Sequence, residues 1–192
     1  QKDIEEGKNE EALQKLKKII SSGNIKDYDA AVIHQTLGFV ENSTGNFKAA
    51  AESYLKALSY NALPEDITHG LYYTVTQLLI YVERYQEGIE YILKWFAKEE
   101  KPKAEAYILA ATAYYYLENY SEAINYASKA LPLIRTPPLN WYELLLAGYY
   151  ETEDLNNAAI ILENIIVKYP TRKKYWIQLA GIYQRLEDDK KA

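Results

Sequence analysis

The feature that most constrains this chain is a spacing. Leu37-Gly38, Gly45, Phe47, Ala50, Tyr54 and Ala57 have the same internal offsets as Val75-Thr76, Glu83, Tyr85, Gly88, Ile92 and Trp95. The offsets recur at Ala110-Ala111, Glu118, Tyr120, Ala123, Ala127 and Ala130, and at Leu145-Leu146, Glu153, Leu155, Ala158, Leu162 and Ile165. A last copy opens with Trp176, Leu179, Ala180 and Tyr183. Successive copies are 38, 35, 35 and 34 residues apart, counted from Leu37 to Val75, Ala110, Leu145 and Leu179. A nearly fixed period in the thirties marks a stack of small structural units, each burying its apolar face on its neighbours.

The unit Ala104–Ala130 shows what one copy folds into. AEAYILAATAYYYL places Tyr107, Ala110, Ala111 and Tyr114 at helical spacing. YSEAINYASKAL places Ala123, Ala127 and Ala130 on one face of a second helix, and Leu117-Glu118-Asn119 sits between them as a tight turn. Residues three and four apart share a helix face. Alanines at 111 and 123 let the two backbones approach, with aromatic rings filling the space around them.

This pattern of large, small and aromatic residues in one helix, then alanine, aromatic and alanine in the next, resembles the tetratricopeptide repeat family. The likeness is clearest at Leu37, Gly38, Gly45, Phe47, Ala50, Tyr54 and Ala57, and again at Trp176, Leu179, Ala180 and Tyr183. Pro170 falls where that family often sets a proline between units. Departures are Gly88 in place of alanine, Thr76 and Leu146 in place of smaller residues, Glu41 where an aromatic is usual, and two longer linkers. The resemblance implies an all-α fold, a right-handed superhelical solenoid of antiparallel helix pairs running over residues 1–192 as a single domain. Four full pairs are expected at 29–60, 66–98, 103–131 and 139–169, with partial units at 1–23 and 172–192.

Along the chain, Glu10 to Ser22 reads as an amphipathic helix with Ala12, Leu16, Ile19 and Ile20 inward, and Ile4 near the end of a preceding one. Pro132, Pro137 and Pro138 mark a loop before the fourth pair, whose second helix presents Ala158, Ile161, Leu162, Ile165 and Ile166 as a broad apolar face. The half-units at either end, together with a first residue that is Gln1 and a complete lack of methionine, suggest a processed or excised product whose parent continues.

Composition narrows the function. The net charge is -5 and no basic block exceeds a few residues, Lys15-Lys17-Lys18 and Arg172-Lys173-Lys174 being the densest, so no nucleic-acid surface is expected. Without cysteine there are no disulfides or thiolate metal sites. No run of eighteen apolar residues exists to insert in a membrane. The two histidines, His34 and His69, have no carboxylates at a ligand spacing. Ser53, Ser59 and Ser121 have no histidine base at a recognisable offset, and the acidic Asp188-Asp189 end reads as a solvated face. Neither an enzyme nor a cofactor is expected. Tyrosine is the unusual residue, 20 of 192, and suits both packing and recognition.

In the resembled family the first helix of each pair lines a surface that receives a peptide or helix from a partner protein. Carried over position by position, that lining is Gln35 and Phe39, Tyr73 and Gln77, Ile108 and Thr112, Glu143 and Ala147, with Tyr115 and Tyr150 near their helix ends. Ile177 and Gly181 continue the series. Some members hold a C-terminal carboxylate with lysine, asparagine and arginine there. The matching Gln35, Phe39, Tyr73 and Gln77 supply no cation, so an amphipathic, aromatic groove is expected instead. Two function classes follow: a protein-interaction module or adaptor, and a structural solenoid that self-associates as a homodimer. A third reading comes from the isoleucine, tyrosine, lysine and asparagine usage, which looks bacterial. The chain is also similar to repeat proteins that accompany envelope complexes, which implies a periplasmic accessory subunit rather than a cytoplasmic one.

Overall fold

Each apolar stripe becomes one helix in the computed structural model, which describes residues 9–21, 23 and 25–189. The helices are α1 (Asn9–Ser21), α2 (Asp27–Ser43), α3 (Phe47–Ser59), α4 (Glu65–Tyr81) and α5 (Tyr85–Phe96), then α6 (Ala104–Tyr116), α7 (Tyr120–Ala130), α8 (Leu139–Glu151), α9 (Leu155–Lys168) and α10 (Lys173–Asp189). A short 3-10 turn, Leu131–Leu133, carries Pro132, and α8 begins directly after Pro138. No strand occurs among the described residues. The chain forms two compact units, residues 1–100 and 101–192. In the first, α2 packs with α3 and α4 with α5; in the second, α6 packs with α7 and α8 with α9. Ile4, and the side chains of Asp188 and Asp189, lie outside the described residues.

One backbone device makes every pair antiparallel. Gly45, Glu83, Glu118 and Glu153, which occupy the same repeat position, all have positive φ, 79°, 63°, 60° and 55°. At each, two amides fold back onto the end of the first helix. The Glu118 N–H donates to the Tyr115 carbonyl at 3.0 Å and the Asn119 N–H to the Tyr114 carbonyl at 2.9 Å. Gly45 and Asn46, Glu83 and Arg84, and Glu153 and Asp154 repeat the geometry at 2.8–3.1 Å. This is a Schellman ending, which satisfies the last carbonyls of a helix. The next residue then starts the second helix. Asn119 and Asp154 also cap it, each side-chain oxygen accepting from the amide three residues on, at 3.3 and 3.1 Å. Only the first turn has the glycine this conformation favours.

Packing inside each pair is set by matched sizes at two repeat positions. Gly38 faces Tyr54, Ala111 shares a core with Ala127, and Leu146 shares one with Leu162. A Cβ added at Gly38 would lie 2.8 Å from the Tyr54 ring, closer than real Cβ contacts come. Burial, with the Glu41 carboxylate beside it, pushes the Tyr54 phenol up to about 12. Glu41 itself is buried and accepts from the Ser53 hydroxyl at 2.6 Å. At the corresponding positions of the third pair Tyr114 stacks on Tyr126, centroids 5.4 Å apart. The unusual glutamate is thus accommodated by a matching small hydroxyl across the pair.

In the second unit, Ile161, Leu162, Ile165 and Ile166 of α9 join Tyr142, Leu145 and Leu146 of α8 with Tyr175 and Ile182 of α10 in one core. The broad face of α9 therefore serves both neighbours. The α1 stripe is less complete than its sequence suggests. Ala12 is buried, whereas Ile19 is 47% exposed. Among the described residues α1 packs against α2. On α3, α5 and α7 a lysine recurs at one repeat position, and its ammonium lies over a tyrosine ring: Lys56 over Tyr60, Lys94 over Tyr91 and Lys129 over Tyr126, at 5.2, 4.5 and 5.0 Å from the centroids. These cation–π contacts occupy tyrosines outside the lining helices.

Two substitutions should move stability in opposite directions. Gly38→Ala overpacks the first pair and should cost about 1–3 kcal/mol. Glu118→Gly relieves a left-handed side-chain-bearing residue and should gain about 0.5–1 kcal/mol after the greater entropy of glycine in the unfolded chain. Equilibrium urea unfolding measures both.

Candidate functional site

The second unit gathers five of the expected lining residues into one place. Ile108, Thr112 and Tyr115 of α6 and Glu143 and Ala147 of α8 border a depression of about 300 Å³, with Tyr116, Asn140, Trp141 and Leu144 completing its wall. Across α8 lies a second depression of about 210 Å³, bordered by Glu143, Ala147 and Tyr150 with Leu146 and with Lys174, Tyr175 and Gln178 of α10. Glu143 and Ala147 belong to both. The helical period explains this. Residues 108, 112 and 115 follow one face of α6, and 143, 147 and 150 the matching face of α8.

The polar centre is Glu143. Its Oε1 accepts from the Tyr175 hydroxyl at 2.6 Å and from the Lys174 ammonium at 2.9 Å. The Tyr175 hydrogen bond, then Lys174, hold the Glu143 carboxyl below the usual glutamate range. Tyr175 is 1% exposed, so its phenol is a fixed donor. Burial raises the Tyr115 and Tyr150 phenols, Tyr115 with help from Glu151, so both remain neutral donors and acceptors across the physiological range. Tyr115 is braced edge-on by Tyr116 and Tyr120, centroids 6.0 and 5.4 Å away.

The first unit places its four expected residues differently. Phe39 of α2 is 55% exposed and Gln77 of α4 is exposed. Gln35 is half-buried. Tyr73 is half-buried against Trp95, centroids 5.1 Å apart, so that ring has a packing role beside any role in recognition. Ile177 and Gly181 of α10 are exposed.

The histidines are held by rings. His34 stacks on Tyr60 at 5.8 Å, and its pKa is lowered, first by burial and then by Lys56. His69 stacks on Trp95 at 5.7 Å and meets Glu99 at 3.2 Å. Among the described residues no three metal-binding side chains cluster, and no helix is long and apolar enough to cross a membrane.

Sequence reasoning missed Lys174, Tyr175, Gln178, Trp141 and Asn140. Its lining series took one helix face every 34 to 38 residues. Lys174 and Tyr175 reach Glu143 from 31 and 32 residues away, the first turn of the next unit's opening helix. A search at slightly less than one period would have found them.

No family model matches the sequence, and no curated protein does. Solved structures do match. YrrB, described as a TPR protein with an unusual peptide-binding site, aligns with a TM-score of 0.66 at 16% identity, over 90% of this chain and 84% of its own. The C-terminal part of a TPR repeat-containing protein from Cytophaga hutchinsonii aligns with a TM-score of 0.66 at 13% identity, over 97% and 70%. The chain has the tetratricopeptide-repeat fold. MamA from Desulfovibrio magneticus RS-1 is also similar, with a TM-score of 0.65 at 19% identity over 90% of this chain and 92% of that one. At these identities the TPR fold is what is shared.

The Glu143 clamp has a measurable signature. Tyr175→Phe removes the hydroxyl hydrogen bond that does most to hold the Glu143 carboxyl low, so its titration should move up toward 4.5, the ordinary value. The sign for stability is fixed: with a depressed folded pKa, the contribution of Glu143 is present above the unfolded pKa and lost as pH falls through the folded one. Carboxyl-detected NMR titration of both proteins reads the shift. Acid unfolding should begin at higher pH in the variant.

Proposed function

We propose that this chain is a non-catalytic protein-interaction module whose groove on α6 and α8 holds a segment of a partner protein. The observation that carries the reading is the convergence of Ile108, Thr112, Tyr115, Glu143 and Ala147 on one depression, with Tyr150 on its continuation. Tyrosines in a sheltered depression supply the contact area that dominates binding at interfaces. The small Ala147 leaves room for an incoming side chain. Phe39 and Gln77, exposed on the matching helices of the first unit, belong to the same proposal. YrrB, of similar fold, has a peptide-binding site by its description.

Self-association is the second reading, and one observation favours it. On α10, Trp176, Ile177 and Tyr183 are 51%, 72% and 43% exposed, a large apolar face for one helix.

Filling the groove without removing a core contact tests the first reading. Ala147→Arg should abolish capture of partner proteins from the source cell and leave helicity unchanged by circular dichroism. Capture by the variant equal to that by the parent overturns the groove. A dimer in sedimentation velocity that dissociates on Trp176→Ser would support the second reading.

A further inference from the structure

The groove on α6 and α8 is not uniformly apolar: the Glu143 carboxylate sits at its middle, with Lys174 bordering the second depression. The depression between α6 and α8 and the one between α8 and α10 meet at Glu143 and Ala147. Ile108, Tyr115 and Leu144 give the first an apolar wall. Leu146 and the Tyr150 ring do the same for the second. The Glu143 carboxylate stands between them.

Its orientation is set from behind. The Tyr175 hydroxyl and the Lys174 ammonium both reach Oε1, and among the described residues no donor meets Oε2. Tyr175 is buried, so this clamp exists before any partner arrives. An ionised carboxylate only accepts hydrogen bonds, and cationic donors are its strongest partners. Lys174 does not cancel that preference. Its side chain is 59% exposed and that of Glu143 is 40% exposed, so the ion pair is screened by solvent and by salt. An acidic segment would meet the Glu143 carboxylate as a like charge.

We propose that this groove selects a peptide carrying a lysine or arginine between two apolar residues, the apolar side chains entering the two depressions and the cation meeting Glu143 Oε2. The inference rests on the groove being the binding site. An extended chain directs alternate residues to the same side at about 3.3 Å per residue. The sequence that fits therefore has the form apolar–any–basic–any–apolar, a span of roughly 13 Å between its apolar anchors. Neighbouring helices lie roughly 8–10 Å apart, which brings depressions on either side of α8 within that reach. Arginine is the better cation, because its planar fork can meet a carboxylate and lie against a tyrosine face at once.

The probe is a random dodecapeptide display library panned on the whole chain, followed by fluorescence anisotropy with selected peptides and with their single basic-to-glutamate counterparts. Enriched sequences should carry a basic residue flanked two positions away on each side by leucine, isoleucine or an aromatic residue. The glutamate counterparts should bind at least tenfold more weakly. Glu143→Gln should weaken the basic peptides about tenfold and flatten their salt dependence. The exchange Glu143→Lys with Lys174→Glu keeps an internal ion pair and should turn selection toward acidic peptides. Enriched peptides that lack the basic residue, or that ignore Glu143→Gln, overturn the charge selection while leaving the groove in place if Ala147→Arg still blocks them. Failure to enrich any peptide, or binding that survives Ala147→Arg, overturns the groove reading as well.

Discussion

The chain reversal after the first helix of each pair is the constraint on which the rest of the structure depends. A left-handed residue, placed once per repeat, ends one helix, and the amide that follows it closes the same helix end before the second begins. There is no room for a flexible loop, so the two helices of a pair have one relative direction and one register. That register brings Gly38 opposite Tyr54 and Ala111 into a core with Ala127. Three of the four turns use glutamate in a conformation that favours glycine. The hydrogen bonds and the packing beyond the turn therefore hold the geometry, with residue preference contributing at the first turn alone.

The groove is a consequence of this packing. In the second unit, with α7 and α9 committed to the core, α6 and α8 are left side by side, and residues one helical turn apart border the depression between them. The side chain at each such position sets the chemistry locally. Ala147 opens space on both sides of α8, Tyr115 and Tyr150 border it with rings, and Glu143, paired with Lys174, is its carboxylate. Tyrosine serves two ends in this molecule. Tyr54, Tyr142 and Tyr175 are core residues, Tyr91 and Tyr126 support lysines on the second helices, and Tyr115 borders the groove.

Much of this was legible in the sequence because repetition multiplies a weak signal. The apolar spacing located every described helix to within a few residues, and the family resemblance implied Ile108, Thr112, Tyr115, Glu143 and Tyr150 as lining positions. It could not show that Tyr73 is braced by Trp95, since ring packing depends on rotamers and on the last turns of α5. It put Ile19 inward by periodicity, where coverage depends on how many neighbours α1 has. It missed the Glu143 clamp because Lys174 and Tyr175 lie a little less than one period away, at positions where the repeat pattern has no fixed residue type. The family pattern describes what packs; the charges of the groove belong to this chain.

Function in this account centres on one side of the second unit, the face shared by α6 and α8. Carbene footprinting of the chain with a captured partner, read peptide by peptide by mass spectrometry, tests that claim most directly. Protection centred on the stretches 108–116 and 140–150, with the outward residues of α7 and α9 labelled as in the free chain, is the predicted result. Protection centred on the second helices, over Lys129 and Ile160, with Thr112 and Ala147 still labelled, would contradict it.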